Sequence, residues 1–225
     1  MPLASGAAMM DEPRRPQLND EAAGYIRELI MTGQLPPGTF IRIDRIAREL
    51  GVSATPIREG LLALRGEGFV QLERRRGFVV APLSGDDIRD IFTAQSLLAG
   101  ELAARAAHRL TDGQLGELTR LQETLAQAAA RGEVARLEAI NHQFHRTINR
   151  IADAPKIAWL LSVGARYVPR RFYATVPGWP QASTDDHAGI LKALCGRDPD
   201  AAGESMANHV RHAGELLADH FDRAR

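Results

Sequence analysis

The sequence predicts a mainly α-helical protein, with an N-terminal winged helix-turn-helix followed by an all-helical antiparallel bundle. Up to Pro82, three short helical segments are followed by two valine-rich runs that fit a β-hairpin. After Ser84 the long segments carry apolar residues with the 3.6-residue period of a helix, and glycine and proline breaks separate them. We therefore expect a disordered N-terminus at residues 1–16, a winged domain at 17–83 and a helical domain at 84–225.

The bulk composition is that of an ordinary globular chain. Of its 225 residues, 44% are hydrophobic, and 28 basic residues balance 28 acidic ones. The net charge therefore does not indicate nucleic acid, and any such interaction must depend on the local placement of arginines. Cys195 is the only cysteine, and the N-terminus lacks the apolar core of a signal peptide. We expect a cytoplasmic protein without a membrane segment.

The first two helices are bounded by ordinary start and stop signals. Asn19 or Asp20 can cap the first helix, and Gly33 ends it. A Leu-Pro-Pro-Gly turn and a short extended piece, Thr-Phe-Ile-Arg-Ile, lead into a second helix that Gly51 closes. The turn after Gly51 then leads to a third helix, which gives the order of a helix-turn-helix.

The third helix is predicted to begin after Ser53 and to present one apolar face. Pro56 is tolerated in its first turn because the amides there have no intrahelical partners. Ile57, Leu61 and Leu64 follow at the spacing that places side chains on one face, so they should point to the core. The residues between them should point away from the core.

Residues at the front of this helix suit contact with DNA. A helix that enters the major groove presents polar groups near its N-terminus while its back face is anchored to the core. Thr55 and Arg58 meet that requirement, and the Arg-Arg-Arg-Gly tip of the hairpin can reach phosphate or a narrow minor groove. Each feature alone is typical of many helical proteins, whereas the two in this order favour DNA binding.

The stretch LPPGTFIRIDRIARELGVSATPIREGLLALRGEGFVQLERRRGFVVAPLS resembles the GntR family of bacterial transcription regulators. Its DNA-binding domains carry a pattern like L-x-P-G, then L-A-x-x-L-G-V-S-R-T-P-V-R-E-A-L, then R-G-x-x-V. The helical second half resembles the FadR-type branch with an FCD effector domain. The resemblance implies a homodimeric regulator, a near-palindromic operator, and a small-molecule effector that alters DNA binding. The DNA-binding residues expected from helix geometry and resemblance are Arg42, Arg45, Ser53, Ala54, Thr55, Arg58, Arg75, Arg76 and Gly77.

Two residues of the third helix depart from that family pattern. Ala54 stands where the family usually has arginine, so one base pair of the operator should be read differently here. Gly60 stands where the family usually has alanine. Glycine should weaken the helix by about 1 kcal/mol, unless a neighbour packs close to it.

Three of the seven histidines lie on apolar stripes of three different predicted helices. They are His145, His187 and His209. If all three point into the bundle, they can bind a divalent metal and leave positions open, and imidazole suits Zn, Ni, Cu or Fe. A lone histidine on such a face is more often a hydrogen-bonded core residue, so the residues alone leave both interpretations open.

The resemblance implies that these histidines bind a divalent metal. FCD domains commonly use D-x-x-x-H on one helix and single histidines on two later helices. The implied ligands are therefore Asn141, in place of the acid, with His145, His187 and His209, and the expected metal is Zn or Ni. An asparagine carbonyl can bind a metal but brings no charge.

The resemblance also indicates where an effector should bind. The family often holds a carboxylate with an arginine on the first helix of the bundle, and Gln95 stands at that place. Glutamine can donate a hydrogen bond but cannot neutralise a charge. Arg166, Arg170 and Arg171 could replace the missing arginine, or could be ordinary surface residues. We expect effector contacts at Gln95 and Arg166, with an organic acid as the candidate effector.

Two other functions remain open from the sequence. The first is a metal-dependent hydrolase fused to a DNA-binding module, because three neutral histidines around a metal could activate water. Asp185 and Asp186 are the nearest candidates for its general base. The second is a regulator whose metal-free bundle binds an acyl-CoA-like ligand.

Overall fold

A computed structural model describes residues 18–167 and 176–223 of the chain. It divides into two compact units, with the boundary between Pro82 and Leu83. The segment 1–16, predicted to be disordered, lies outside the described residues. The fold class predicted from the sequence is confirmed, since helices dominate the described ranges and the sheet found there has two strands. None of the described helices is long and apolar enough to cross a membrane.

Over residues 18–82, the first unit contains three helices and a hairpin. The strands pair antiparallel, with Val70 opposite Val80 and Glu73 opposite Gly77. The predicted extended piece before the second helix bridges Phe40 to Val79 and pairs with the second strand through backbone hydrogen bonds, from Ile41 N to Phe78 O and from Val80 N to Thr39 O, and the helix begins at Ile43. The elements are α1 (Leu18–Met31), α2 (Ile43–Leu50), α3 (Ala54–Gly66), β1 (Val70–Glu73) and β2 (Gly77–Val80).

Helix α3 is anchored by the apolar face that the sequence predicts. Ile57, Leu61 and Leu64 are fully buried, and so is Ile26 of α1. Burying an aliphatic side chain of this size contributes roughly 1.5–3 kcal/mol. The buried face therefore fixes the rotation of α3 and determines which of its residues remain accessible.

Helices α1 and α3 approach each other closely at Gly60. A Cβ atom added there would lie 2.9 Å from the carbonyl oxygen of Asn19 and 3.0 Å from the amide nitrogen of Ala23. Both distances are shorter than ordinary van der Waals contact, and both partners are backbone atoms. Glycine at position 60 lowers helix propensity but permits the two backbones to touch, so a neighbour does pack close to it.

The second unit consists, over its described residues, of six helices and one short 3₁₀ turn. Two of the helices begin with a capping box, in which Ser84 accepts a hydrogen bond from the amide of Asp87 and Thr111 accepts one from that of Gln114. The core contains Leu102, which is fully buried. The elements are α4 (Gly85–Arg109), α5 (Asp112–Ala130), α6 (Val134–Ile151), α7 (Pro155–Gly164), the 3₁₀ turn (Ala165–Tyr167), α8 (Trp179–Cys195) and α9 (Pro199–Arg223).

Two helix boundaries in this unit differ from the sequence pattern. The 3.6-residue apolar period of the sequence runs from Pro155 to Val176 and predicts one helix there, whereas α7 ends at Gly164 and gives way to the 3₁₀ turn. The pattern starts the next helix at Ser183, whereas α8 starts at Trp179. Pro180 does not prevent the earlier start, because a proline in the first helical turn removes no intrahelical hydrogen bond.

Candidate DNA-binding surface and metal centre

The front of α3 presents its polar residues to solvent. Thr55 and Arg58 are exposed, and Ala54 is half-buried. Ser53 is the N-cap residue with extended backbone, and within the described chain its hydroxyl makes no capping hydrogen bond. The first turn therefore offers a hydroxyl and amide groups to a ligand on the same side as Arg58, which is what a helix in a DNA groove requires.

The two arginines of α2 differ in their surroundings. Arg42 is exposed at the N-cap position of the helix. The Nε atom of Arg45 donates to Oε1 of Glu49 at 2.7 Å, and the hydroxyl of Tyr25 donates to the other oxygen of Glu49 at 3.1 Å. Arg45 would therefore have to exchange or share an ion pair in order to contact a phosphate. Exposed ion pairs of this kind are weak, so that exchange is feasible.

Two arginines of the hairpin tip, Arg75 and Arg76, also differ from each other in their surroundings. Arg75 and Gly77 adopt positive φ angles of 66° and 100°, and these left-handed residues form the tight turn. The guanidinium carbon of Arg76 lies 4.3 Å from the centre of the Phe40 ring, and its Nη1 lies 3.2 Å from Oε2 of Glu73. Arg76 is thus held along the hairpin, while Arg75 stands at its exposed apex.

Three helices of the second unit bring His145, His187 and His209 together. His145 is on α6, His187 on α8 and His209 on α9, and one ligand nitrogen from each lies within 4.8 Å of the others. The Nε2 atom of His145 is 3.3 Å from that of His187 and 3.2 Å from that of His209. His187 and His209 are buried, and His145 is half-buried.

The hydrogen bonds on the far side of two rings fix which nitrogen carries the proton. The carbonyl of Thr184 can only accept, so it bonds Nε2 of Gln122 at 2.8 Å and turns the amide oxygen of Gln122 toward Nδ1 of His187 at 3.2 Å. The carboxylate of Asp186 lies 3.2 Å from Nδ1 of His209. In their neutral forms, both rings therefore protonate Nδ1 and leave a lone pair on Nε2.

Because of these lone pairs, the three rings have too few N–H protons to form a hydrogen bond at each of the short N···N contacts. The Nε2 atom of His145 can carry one proton at most, so it cannot donate to His187 and His209 together. At least one of the two short N···N contacts then joins two acceptors, and a cation among the three nitrogens would remove that repulsion. With Zn–N distances of ~2.0–2.1 Å, two ligands of a tetrahedral ion lie about 3.3 Å apart. The two spacings from His145, 3.2 and 3.3 Å, fit such an ion, and the nitrogens of His187 and His209 lie within 4.8 Å of each other.

Two of the rings are neutral near pH 7. Burial lowers the pKa of His145 and of His187 well below the usual value, and the neighbouring histidines lower both further. Neutral imidazole is the form that binds metals. Burial raises the pKa of Asp186, but hydrogen bonds from His209 and His212 outweigh it and hold the pKa below its ordinary value. Asp186 is therefore an anion beside the cluster.

The other predicted ligand, Asn141, is buried on α6 one turn before His145. Its Oδ1 accepts a hydrogen bond from the hydroxyl of Ser183 at 3.4 Å. That contact is long, so it leaves the amide oxygen able to accept a second interaction. The side chain packs between α6 and α8, the helices that carry His145 and His187.

The two predicted effector residues lie in different environments. Gln95 is buried on α4, and among the described residues its Nε2 has no hydrogen-bond partner. Its Cγ lies 3.0 Å from the position that a Cβ atom on Gly164 would occupy, so α7 packs directly against it. Arg166 is exposed on the 3₁₀ turn that follows α7. Arg170 and Arg171 lie outside the described residues.

Sequence reasoning missed the groups that orient the histidines. Gln122 contacts His187 from α5, and Phe144 stacks on the His187 ring with centroids 4.2 Å apart. Gln122 is 65 residues away from its partner, so no local spacing could have indicated the contact. From the sequence, Asp186 is only a candidate general base. The structure instead engages it with His209 and His212, while its neighbour Asp185 is exposed and accepts a hydrogen bond from Gln181.

Comparison with known families gives two matches that together span most of the chain. Residues 18–80 match the sequence profile of the bacterial regulatory proteins of the gntR family, and residues 90–212 match that of the FCD domain. The first range contains α1–α3 and the hairpin, and the second contains all three histidines.

Individual relatives agree with these matches. The chain is 29% identical to an HTH-type transcriptional regulator of Mycobacterium tuberculosis strain H37Rv, over 91% of this chain and 83% of that protein. It is 26% identical to the HTH-type transcriptional repressor RspR of Escherichia coli K12, over 91% and 90% of the two chains. Among solved structures, E. coli McbR/YncC has the same fold, with a TM-score of 0.70 at 21% identity over 92% of this chain and all of that one.

Proposed function

Because the chain belongs to the GntR family of bacterial regulatory proteins and carries an FCD domain, we propose that it is a homodimer whose affinity for a DNA operator is controlled by a small molecule bound near a divalent metal. Its family and relatives are transcription regulators, so it is a DNA-binding regulator rather than an enzyme. The observation that carries the metal-dependent part is the convergence of three imidazole nitrogens that lack protons to share.

For the DNA-binding part, we assign base reading to the front of α3 and phosphate contact to α2 and the hairpin tip. Thr55 and Arg58 are exposed on a helix whose opposite face is fully buried, so they can enter a groove while α3 stays anchored. Arg42 and Arg75 are exposed and suited to phosphate, whereas Arg45 and Arg76 would have to exchange or share an ion pair with an acidic partner. In protein–DNA complexes, contacts to base edges specify the DNA sequence, whereas contacts to phosphates position the protein without reading the sequence.

For the assembly, a dimer on a near-palindromic operator is the arrangement that two-fold symmetry favours. The second unit exposes large apolar side chains on α4 and α7, namely Leu97, Trp159 and Leu160. Contact with a second copy would remove them from water. The related E. coli protein is named a repressor, and we extend repression to this chain as part of the proposal.

For the metal, His145, His187 and His209 would bind through Nε2, and Asn141 or water would complete the coordination. As metal ligands these groups are all neutral, so a bound dication would keep a net positive charge and attract an anionic ligand atom. The chain's own residues position the site: Gln122 and Asp186 fix two ring tautomers, and Phe144 packs against one ring.

For the effector, the buried amide of Gln95 is the main support. A buried donor without a partner is costly, and native structures seldom keep one without a role. We propose that its Nε2 donates to an effector oxygen. Arg166 would add a charge near the surface if the effector is an organic acid.

The metal proposal is tested with chelator and thermal unfolding of the full chain. A ligand present at about 1,000 times its Kd stabilises the folded state by about 4 kcal/mol. Excess EDTA should therefore lower the Tm of the wild type by several degrees. It should leave the Tm of a His145→Ala/His187→Ala variant unchanged, because that variant has lost two of the three ligands.

The control is His108→Ala, which removes an exposed histidine of α4 and should respond to EDTA as the wild type does. Elemental analysis of the same samples should find about one metal ion per wild-type chain. If wild type and double variant respond identically to EDTA, these histidines do not form a metal site. A His187→Gln variant provides the same comparison if the double variant does not fold.

A further inference from the structure

Asp186 links one proposed metal ligand to a histidine on the surface. Its Oδ2 atom lies 3.2 Å from Nδ1 of His209 and 3.1 Å from Nδ1 of His212. The side chain of His209 is 6% exposed, that of Asp186 27% and that of His212 48%. Exposure to solvent therefore increases from His209 through Asp186 to His212.

We propose that Asp186 is a positioning residue, which holds the His209 ring with Nε2 toward the metal and strengthens that nitrogen as a ligand. The inference rests on the proposed metal site and adds a group that does not touch the ion. A carboxylate that accepts from the far nitrogen of an imidazole fixes its tautomer and ring orientation and raises its basicity. The Asp186–His209 contact has that geometry.

Charge makes the role of Asp186 different from that of Gln122. Gln122 bonds His187 in the equivalent way through a neutral amide oxygen. Asp186 brings a formal negative charge to within one imidazole ring of the three nitrogens. The proposed ligand set of three neutral histidines and a neutral Asn141 contributes no charge to offset a dication. Asp186 therefore stabilises the bound dication electrostatically through the His209 ring, as a carboxylate ligand would do by direct contact.

His212 approaches the same carboxylate from the solvent side. It follows His209 by three residues on α9, so the two rings lie on adjacent turns of one helix face and share Oδ2. Among the residues that the structure describes, His212 bonds only this carboxylate, and the contact between Asp186 and His209 does not require it. Loss of His212 should therefore affect metal binding much less than loss of the Asp186 charge.

The test compares Zn²⁺ affinity of two neighbouring aspartate variants in the full chain. Affinity is measured on metal-stripped protein by competition with a chromophoric chelator. Asp186→Asn should lower it by about 10- to 100-fold, the usual effect of losing such a partner. Asp185→Asn removes the same charge one residue away, from a side chain bonded to Gln181, and should leave it near the wild-type value. His212→Ala should also stay near wild type.

Two further measurements separate positioning from a general structural effect. The metal-free Tm of Asp186→Asn should lie close to that of the metal-free wild type and slightly below it, because the lost hydrogen bonds to a partly exposed carboxylate contribute little. The visible spectrum of its Co²⁺ form should differ, because His209 is no longer held in one orientation. Asp186→Glu keeps the charge on a longer side chain and should recover part of the Zn²⁺ affinity. It also serves as the comparison if the Asn variant does not fold.

The results distinguish this inference from the site on which it rests. Wild type that binds no Zn²⁺ would overturn both the metal site and the role of Asp186. Wild type that binds Zn²⁺ while Asp186→Asn binds equally well, with an unchanged Co²⁺ spectrum, would overturn only the role of Asp186. Equal losses in Asp186→Asn and Asp185→Asn would also overturn it, because the effect would then be one of general charge.

Discussion

Replacement of Gly60 by alanine should destabilise the first unit, although alanine is the better helix former. In a helix interior, alanine gains about 1 kcal/mol over glycine. At Gly60 the new methyl group would sit 2.9 Å from the carbonyl oxygen of Asn19 and 3.0 Å from the nitrogen of Ala23. Forcing a methyl group into packed structure costs typically 1–3 kcal/mol. The net change is a loss of up to ~2 kcal/mol.

Gly24 of α1 offers a matched control in the same unit. Among the described residues nothing lies within 4 Å of a Cβ atom added there, and Gly24 is in the interior of α1 without a positive φ, so Gly24→Ala should keep the whole gain in propensity. In a domain of this size, 1 kcal/mol moves Tm by roughly 4–8 °C. Calorimetry of the full chain should show the same transition moving up in Gly24→Ala and down, or not at all, in Gly60→Ala. An equal rise in both variants would show that α1 and α3 do not touch at Gly60.

Two further predictions concern the front of α3. Arg58→Ala should weaken operator binding by about 1–3 kcal/mol and relax specificity at one base pair per half-site. Titration of operator variants that differ at that base pair measures both effects. An equal loss of affinity on random DNA would rule out base reading by Arg58. Ala54→Arg should shift preference toward G at one position by roughly 1–3 kcal/mol, because alanine can touch only a thymine methyl group whereas arginine can bond both acceptors of guanine. Randomised-site selection checks this second prediction, and identical selected sequences from both proteins would mean that Ala54 does not face the groove.

Local periodicity was enough to predict the anchored face of α3. Ile57, Leu61 and Leu64 are buried because residues at that spacing must share a side of the helix, wherever its neighbours lie. The reason for Gly60 could not be predicted, since it depends on how near α1 lies. Helix propensity marked this glycine as unfavourable, and only the tertiary contact explains it.

The candidate metal site likewise combines residues that the sequence predicts with contacts that it does not predict. The three histidines stand out in the sequence because each interrupts an apolar stripe. Their hydrogen-bond partners do not stand out, because Gln122 is one of many polar residues on α5 and reaches His187 only after the bundle has folded. The pairing of Arg76 with Phe40 and Glu73 was hidden for a similar reason, since it needs the hairpin turn to bring the guanidinium back over the ring.

The three histidines are widely separated along the chain, and this spacing has a consequence for cooperativity. His145 is 42 residues from His187 and 64 from His209. An ion that bound all three would act as a reversible cross-link, closing long loops whose freedom the unfolded chain would otherwise keep. Because the link ties α6, α8 and α9 at one point, its release would loosen three helices at once. The ion would then set the rigidity of the unit as a whole as well as the chemistry of one cavity.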